Sequence, residues 1–350
     1  MSTTQAALTI EQIAQIAEVS RSTVSRVLNE HPSVRPEVRD RVLRVIKEYN
    51  YTPHAAARSL AGSRTDIIGL LIPRTAGVIF ADPFFGCIIQ SVTETCSSMG
   101  YYLMLSMITA EMEESFYNRT LRSRHFDGII LLSSDVDDPL LPLLIKDQMP
   151  FVLIGSHPYF QNLTTIDADN REGARAATAH LLELGHKRIG TITGPLQMDS
   201  AIARRDGYKR ALLEAGIPIV PELIISSDYT QEGGYHAAQY LLRQTVRPTA
   251  LFVGSDTMAM GVLRACHELG LRIPQDIALV GFDNLPTAQY ANPPLTTVNQ
   301  PITEMGATAV RVLIERIKNT RYDHRQLRLP THLVVRESSG AVPAATAKGA

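Results

Sequence analysis

The sequence predicts an all-α helix-turn-helix headpiece followed by an α/β core of two doubly wound parallel-sheet domains, on three observations. The stretch TIEQIAQIAEVSRSTVSRVLN at 9–29 sets apolar residues at helical spacing on both sides of a break. From Thr65 onward, short apolar runs alternate with amphipathic helical segments over about 270 residues. Composition is the third: 350 residues with 45% hydrophobic and 20% charged side chains can bury more than one core.

Ile10, Ile13, Ala14 and Ala17 form the stripe of a first helix behind Thr9, an N-cap that Gln12 completes as a capping box. Glu18-Val19-Ser20 breaks the period, and Ser20 can cap a second helix with Val24, Val27 and Leu28 inward. Arg21, Ser22, Ser25, Arg26 and Asn29 lie on its polar face, where they can reach base edges and phosphates from a helix N-terminus in the major groove. An ordinary amphipathic helical hairpin fits the same pattern. A third helix starts at Pro36, with Val34, Val38, Val42, Leu43, Ile46 and Tyr49 closing a miniature core. So small a unit gains stability from dimerisation or from a bound partner.

Residues 51–62, YTPHAAARSLAG, offer a short helix between Pro53 and Gly62 with Leu60 as its one large apolar side chain. Alone it is marginal. It reads either as a plain linker or as a hinge helix that forms against a dimer mate in the minor groove, with Leu60 as a wedge between base steps.

In the core the expected strands are 67–73, 101–107, 128–132, 151–154, 186–193, 250–253 and 277–282, and the helices 84–99, 111–123, 171–184, 204–215, 232–243 and 256–269. This alternation means parallel sheets with crossover helices on both faces. Ten or so strands fit two sheets better than one, with a ligand between them at the strands' carboxyl ends. The expected divisions are 1–50 for the headpiece, 51–64 for the hinge, 65–340 for the core and 341–350 for a disordered tail. Within the core, one subdomain takes about 65–166 and 295–325 and the other about 167–294 and 326–340.

The net charge of −1 is unevenly spread: residues 1–64 carry nine Lys/Arg against six Asp/Glu, which leaves the remainder at −4. A modest basic module on a mildly acidic body suits phosphate contacts at one end. Cys87, Cys96 and Cys266 have no zinc-ligand spacing and read as buried thiols of a reducing cytoplasm. No secretory leader or apolar run of membrane-spanning length is visible, so a cytoplasmic protein without membrane contact is expected. Neither a Walker loop, G-x-S-x-G, H-E-x-x-H nor G-x-G-x-x-G occurs, and Asp135, Asp137 and Asp138 read as a solvated loop. No enzyme, cofactor or metal site is expected.

With these motifs in view, the chain resembles the lactose- and purine-repressor (LacI/GalR) family of bacterial transcription regulators. TVSRVLN at 23–29, YTPHAAARSLAG at 51–62, DPFF at 82–85, DNREGARAATAHLLELGHKRIGTITGP at 169–195, FVGSDTMAMG at 252–261, DIALVGFDN at 276–284, PPLTTVNQP at 293–301 and VVRESSG at 334–340 carry the resemblance, in the family's order. It implies a core similar to type I periplasmic binding proteins, a homodimer on a pseudo-palindromic double-stranded operator, and a small-molecule effector, with a sugar or oligosaccharide expected. A solute-binding protein of a sugar transporter is the alternative. The short tail after Gly340 has no heptads, so a dimer is expected rather than a tetramer.

The resemblance puts Arg21 and Ser22 at base-choosing positions, with Arg26 often joining them. Thr9, Ser20, Thr23, Ser25 and Asn29 are left for phosphates or for capping. Tyr51 joins the DNA-binding set, Arg58 supports the hinge or a phosphate, and Leu60 matches the intercalating leucine. For the effector it implies Arg204, whose planar fork can bind two hydroxyls or a carboxylate, and Asp283, which can accept from two sugar hydroxyls. An interdomain salt bridge would account for either. Tyr229, Phe84, Phe85, Ser200, Ser255 and Gln300 complete the expected cleft, although Phe85 suits a core equally well. Asp256 reads as the cap of helix 256–269. Where some sugar-binding members carry an acid, this chain has Gly155, which makes His157 the replacement candidate. The loop RTAGVIFA at 74–81 is longer than in the shortest members, a feature loosely associated with oligosaccharide regulators.

Overall fold

The computed structural model describes residues 8–28, 31–49, 51, 64–109, 112–122, 125–132, 135–160, 162–319 and 323–340. The chain divides into two units, residues 1–66 with 124–127 and residues 67–123 with 128–350. The expected hinge helix, with Arg58 and Leu60, and also Asn29, lie outside the described residues.

In the first unit, α1 (Ile10–Ile16), α2 (Arg21–Leu28) and α3 (Pro36–Glu48) enclose Ile13, Ala14, Ala17, Val24, Val27, Val42, Val45 and Tyr51. Thr9 and Gln12 form the reciprocal capping box, the Thr9 amide donating to Gln12 Oε1 at 2.7 Å. The turn between α1 and α2 is made by Glu18 at φ +51°, a left-handed conformation uncommon for a non-glycine residue. The buried face of α3 is rotated from expectation: Val45 turns inward, while Leu43 and Tyr49 are exposed. Val42, Val45 and Ile46 follow the i, i+3, i+4 rule, which Leu43 breaks.

The second unit holds two six-stranded sheets. The first contains β1 (Ile67–Ile72), β2 (Tyr102–Met107), β3 (Gly128–Leu132), β4 (Phe151–Ile154), β5 (Thr165–Ala168) and β11 (Gln326–Leu329), in the order 11-5-4-3-1-2, all parallel. The second contains β6 (Ile189–Thr193), β7 (Ile224–Ser226), β8 (Ala250–Val253), β9 (Ala278–Asp283), β10 (Thr296–Asn299) and β12 (His332–Val334), in the order 12-10-9-8-6-7. Here β12 runs antiparallel to β10 and the other pairs are parallel. In each sheet the strand order reverses beside one strand, β1 or β6, which is the switch point of a doubly wound fold.

The subdomain boundaries expected from the sequence need correction. β5 straddles the expected division at 166/167 yet belongs to the first sheet; β10 belongs to the second and β11 to the first. The chain therefore crosses between sheets after β5, after β10 and again between β11 and β12. TIDA, TTVN and QLRL are short and partly polar, so their pairing is decided by tertiary neighbours more than by their own pattern.

Helices α4 (Ala76–Ala81), α5 (Pro83–Ser98), α6 (Glu113–Phe116), α7 (Leu140–Lys146), α8 (Asn170–Glu183), α9 (Asp199–Glu214), α10 (Gln231–Leu242), α11 (Asp256–Glu268), α12 (Pro286–Tyr290) and α13 (Ile302–Lys318) cover the sheets. Beyond α6, a π-turn at Tyr117–Leu121 replaces the second half of the helix expected over 111–123. The segment 74–81 carries α4 instead of a loop. α9 begins five residues before its expected start and lies close on α8 because residue 207 is glycine: a Cβ there would stand 2.2 Å from the Arg171 carbonyl oxygen. Cys96 and Cys266 are buried and Cys87 is half-buried. No helix among the described residues is long and apolar enough to cross a membrane.

Candidate functional site

On the headpiece, Arg21, Ser22 and Arg26 are exposed along one side of α2, while Ser25 and Thr23 are half-buried. Ser20 Oγ accepts from the Thr23 amide at 3.2 Å and lies 2.8 Å from the hydroxyls of Ser22 and Thr23, so the start of α2 is a cluster of hydroxyls. Arg21 Nε meets Glu11 at 3.2 Å with both side chains more than half exposed, a pair that an incoming phosphate or base can displace at small cost. Tyr51, grouped with the DNA-binding residues from the sequence, is 8% exposed and packs in the headpiece core.

In the second unit a cavity of about 310 Å³ lies between the sheets at the carboxyl ends of β1, β3, β4, β6, β8 and β9. Its size is at the small end of the range for small-molecule sites. Phe84, Phe85, Ser200, Arg204, Tyr229, Ser255, Asp283 and Gln300 all line it.

Arg204, on the buried face of α9, is 6% exposed and forms the node of the polar floor. Its Nε donates to Asn170 Oδ1 at 2.8 Å, Nη1 to the Gly254 carbonyl at 2.5 Å and Nη2 to Gln300 Oε1 at 2.7 Å. The guanidinium carbon stands 3.8 Å from the centroid of the Phe282 ring, a stacked cation–π arrangement. Asp283 pairs with Nη1 at 3.3 Å. The two residues belong to the same lobe, so the ion pair is not the interdomain bridge that sequence reasoning allowed. Burial pushes the Asp283 carboxyl well above the ordinary carboxylate range against the pull of Arg204, and the negative charges of Asp256 and Asp82 push the same way.

Two lining residues, Asp283 (φ +111°) and Tyr229 (φ +65°), have left-handed backbones, and Asn284 (φ +56°) follows directly on Asp283. Such strain in non-glycine residues persists only where surrounding structure enforces it. The Tyr229 ring lies against Gly194, where a Cβ would come within 2.0 Å of it, and its hydroxyl stands 3.5 Å from Ser200 Oγ. Phe84 and Phe85 meet edge to face at 5.4 Å; Phe84 is half-buried, and Phe85 also belongs to the core of the first lobe.

Two expectations change. Ser255, not Asp256, caps α11, its hydroxyl accepting from the Met258 amide at 3.2 Å. Asp256 lies one residue inside and accepts from the Leu285 amide at 2.8 Å and the Thr297 hydroxyl at 2.6 Å, fastening the strained turn after β9. His157 does not line the cavity: it is 8% exposed, its Nε2 engages the Val136 carbonyl at 2.9 Å and its ring packs 4.8 Å from Phe160. The edge beside Gly155 is supplied by Ser156, Asp167 and Asp199.

Other lining groups escaped the sequence reading. Asp82 caps α5 through the Phe84 amide at 3.0 Å and accepts from Thr257 across the cleft at 2.9 Å. Arg74 follows β1 and pairs with Asp135 at 2.5 Å, and Asn170 holds Arg204. The strand-end rule reaches Arg74 from the sequence; it does not reach Asp167, because TIDA is too short and too polar to read as a strand.

Burial also pushes the Asp256 carboxyl up, to about 7, with its two hydrogen bonds and Arg336 opposing. A folded-state value above the unfolded one means that this proton's stabilisation is complete at pH below about 4 and is lost as pH rises through about 7. Asp256→Asn should therefore gain stability over the parent between pH 5 and pH 8, by about 1 kcal/mol per pH unit below pH 7. Urea unfolding at both pH values measures this; a difference that does not change with pH contradicts the assignment.

Comparison with known proteins adds lineage to this geometry. Residues 9–54 match the family model of bacterial regulatory proteins of the lacI family, and residues 178–339 that of the periplasmic binding protein-like domain. The HTH-type transcriptional regulator CelR of Thermobifida fusca is 38% identical over 333 residues, covering 94% of this chain and 98% of CelR. The HTH-type transcriptional repressor PurR of Escherichia coli is also 38% identical, covering 94% of this chain and 96% of PurR. Among solved structures, a CelR–cellobiose complex superposes with a TM-score of 0.76 at 37% identity, covering 95% of this chain and 99% of that one. A lac repressor dimer bound to operator and the anti-inducer ONPF gives 0.80 at 28% identity, covering 95% and 99%.

Proposed function

The chain belongs to the LacI family of bacterial regulatory proteins, and on that premise we propose that it is a dimeric repressor whose hold on a pseudo-palindromic operator is set by an uncharged sugar in the core cleft. The observation that carries the effector class is the polar floor around Arg204. Two arginines, Arg74 and Arg204, share the cavity wall with Asp82, Asp167, Asp199, Asp228 and Asp283, and Arg74 and Arg204 each already face a carboxylate. A phosphate or carboxylate ligand would meet more acid than free cation, whereas hydroxyls can donate to the carboxylates and accept from the arginine fork. The rings of Phe84, Phe85 and Tyr229 supply apolar faces for a sugar ring. CelR in its solved complex holds cellobiose, which agrees with this class.

In this reading Arg21, Ser22 and Arg26 read bases. Thr9, Ser20, Thr23, Ser25 and Asn29 hold phosphates, and Arg58 and Leu60 act at the hinge. The effector biases closure of the two lobes, closure sets the spacing of the paired headpieces, and the sugar leaves unchanged because the protein is no enzyme. Such a regulator works in the cytoplasm beside its DNA. The transporter-component reading is not favoured, since the relatives that match the whole chain are transcription regulators.

A panel of cellobiose, maltose, glucose and glucose 6-phosphate scored by thermal shift tests the class. At least one neutral sugar should raise Tm with saturating concentration dependence, by the linkage expected of a ligand that binds only the folded state. Stabilisation by the phosphorylated sugar alone would overturn the reading.

A further inference from the structure

At the cleft edge beside Gly155 two carboxylates share one hydroxyl. Ser156 Oγ stands 2.8 Å from Asp167 Oδ2 and is also in hydrogen-bond contact with Asp199 Oδ2. Ser156 follows β4 and Asp167 lies in β5, both in the first lobe, while Asp199 opens α9 in the second, so this contact spans the cleft. A serine hydroxyl has one hydrogen. It can satisfy one carboxylate; the other then faces an oxygen lone pair unless it carries a proton and donates it to Ser156 Oγ. Asp167 has no slack elsewhere, since its Oδ1 already accepts from the Ala168 amide at 2.9 Å and from Asn170 Nδ2 at 3.0 Å.

We propose that Asp167, Ser156 and Asp199 form a proton-dependent latch: closing the cleft takes one proton from solvent onto the carboxylate pair, and losing that proton breaks the bridge between the lobes. The balance is one proton from water on closure and one returned on opening.

The surrounding groups fit this device. From α9, Asp167 faces Asp199 and Arg204; on β11 its register partner is Arg328; the Asn170 amide is neutral. Arg204 is committed to Asn170, Gly254, Gln300 and Asp283 and does not bridge the two acids. Burial, reinforced by the charge of Asp199, moves the Asp167 carboxyl up, while the Ser156 and Ala168 hydrogen bonds and Arg204 pull it down. The net direction is upward, so the latch holds at low pH and is lost as pH rises through the shifted value. On the same rim the Val136 amide donates to the Gln197 carbonyl at 2.8 Å, a bridge with no titrating group. The device is thus a pH-dependent increment on an existing contact, and it stands whatever the effector is.

Asparagine supplies the missing donor at nearly the same shape, and this makes the test specific. In thermal melts of the ligand-free full chain, Asp167→Asn and Asp199→Asn should each raise Tm at pH 8, by about 2–4 °C, and bring little gain at pH 5. The double variant should gain no more than either single one, because only one proton is missing. Amide exchange of residues 196–200 at pH 8 should slow several-fold in either single variant, which ties the gain to the bridge. A gain from Asp167→Asn with none from Asp199→Asn would mean a solitary buried acid and overturn the proposal. Additive gains, no gain in either, or gains equal at pH 5 and pH 8 would overturn it as well.

Discussion

Arg204→Ala should abolish the effector response of DNA binding, weaken sugar binding by at least about 100-fold, and lower folding stability by about 3–5 kcal/mol. One side chain accounts for all three. Its loss leaves Asn170 Oδ1, the Gly254 carbonyl and Gln300 Oε1 without their donor in a buried site, and strips Asp283 of its cation. Part of the cost is recovered, because Asp283, already pushed upward by burial, can take a proton when Arg204 is gone. Arg204→Lys keeps the charge but cannot reproduce three divergent donors stacked on Phe282, so it should restore stability in part and the response hardly at all. Chemical unfolding and calorimetric titration with the sugar that raises Tm separate the two effects. A variant with unchanged sugar affinity would remove Arg204 from the site.

Removing residues 1–62 is the second large perturbation: sequence-specific DNA binding should disappear while the sugar-induced Tm shift remains. The headpiece encloses a core of its own around Ile13, Val24 and Val42, and the cavity-lining residues all lie in the other unit. Within the intact chain, Arg21→Ala should cost about 1–3 kcal/mol against the preferred operator and relax base choice there. The Glu11 partner of Arg21 is too exposed to mask this change. Binding-site selection from random duplexes, followed by titration at fixed salt, measures both variants. Retained specificity in the truncated chain would sink the headpiece assignment.

Where the chain states its own periodicity, the fold was legible. GIILL, FVLI and ALFV are continuous apolar runs that occupy buried central strands, and their limits at 128–132, 151–154 and 250–253 coincide with the structure. The capping box at Thr9 is equally local and appears as read. β5, β7, β10, β11 and β12 were not legible, because strands of three or four residues at a sheet edge or at a crossing are defined by the neighbour they pair with. α3 starts at Pro36 as the sequence predicts, but its buried face is turned: of the expected stripe Val34, Val38, Val42, Leu43, Ile46 and Tyr49, Leu43 and Tyr49 are exposed and Val45 takes their place beside Val42 and Ile46.

The site divides along the same line. Arg204, Asp283 and Tyr229, which the family resemblance names, all line the cavity. Proximity to Gly155 in the chain points to His157, but its ring turns to Phe160 and the Val136 carbonyl. Asp167 and Asp199 reach that edge from 12 and 44 residues further along the chain than Gly155, a proximity that only the folded sheets create. Leu285 shows the same non-local logic: it follows a strand of the second sheet, yet its side chain belongs to the core of the first lobe.

The cleft and the headpiece are the two ends of one ligand-driven switch. Fluorescence anisotropy of the selected operator duplex, titrated with the full chain at constant salt with and without the sugar that raises Tm, tests it most directly. A coupled regulator should show a shift in operator affinity of about 5–150-fold, the span of a 1–3 kcal/mol coupling, and Arg204→Ala should erase that shift while leaving sugar-free affinity near the parent value. Equal operator affinity with and without a saturating sugar would mean that the cleft does not control the headpiece.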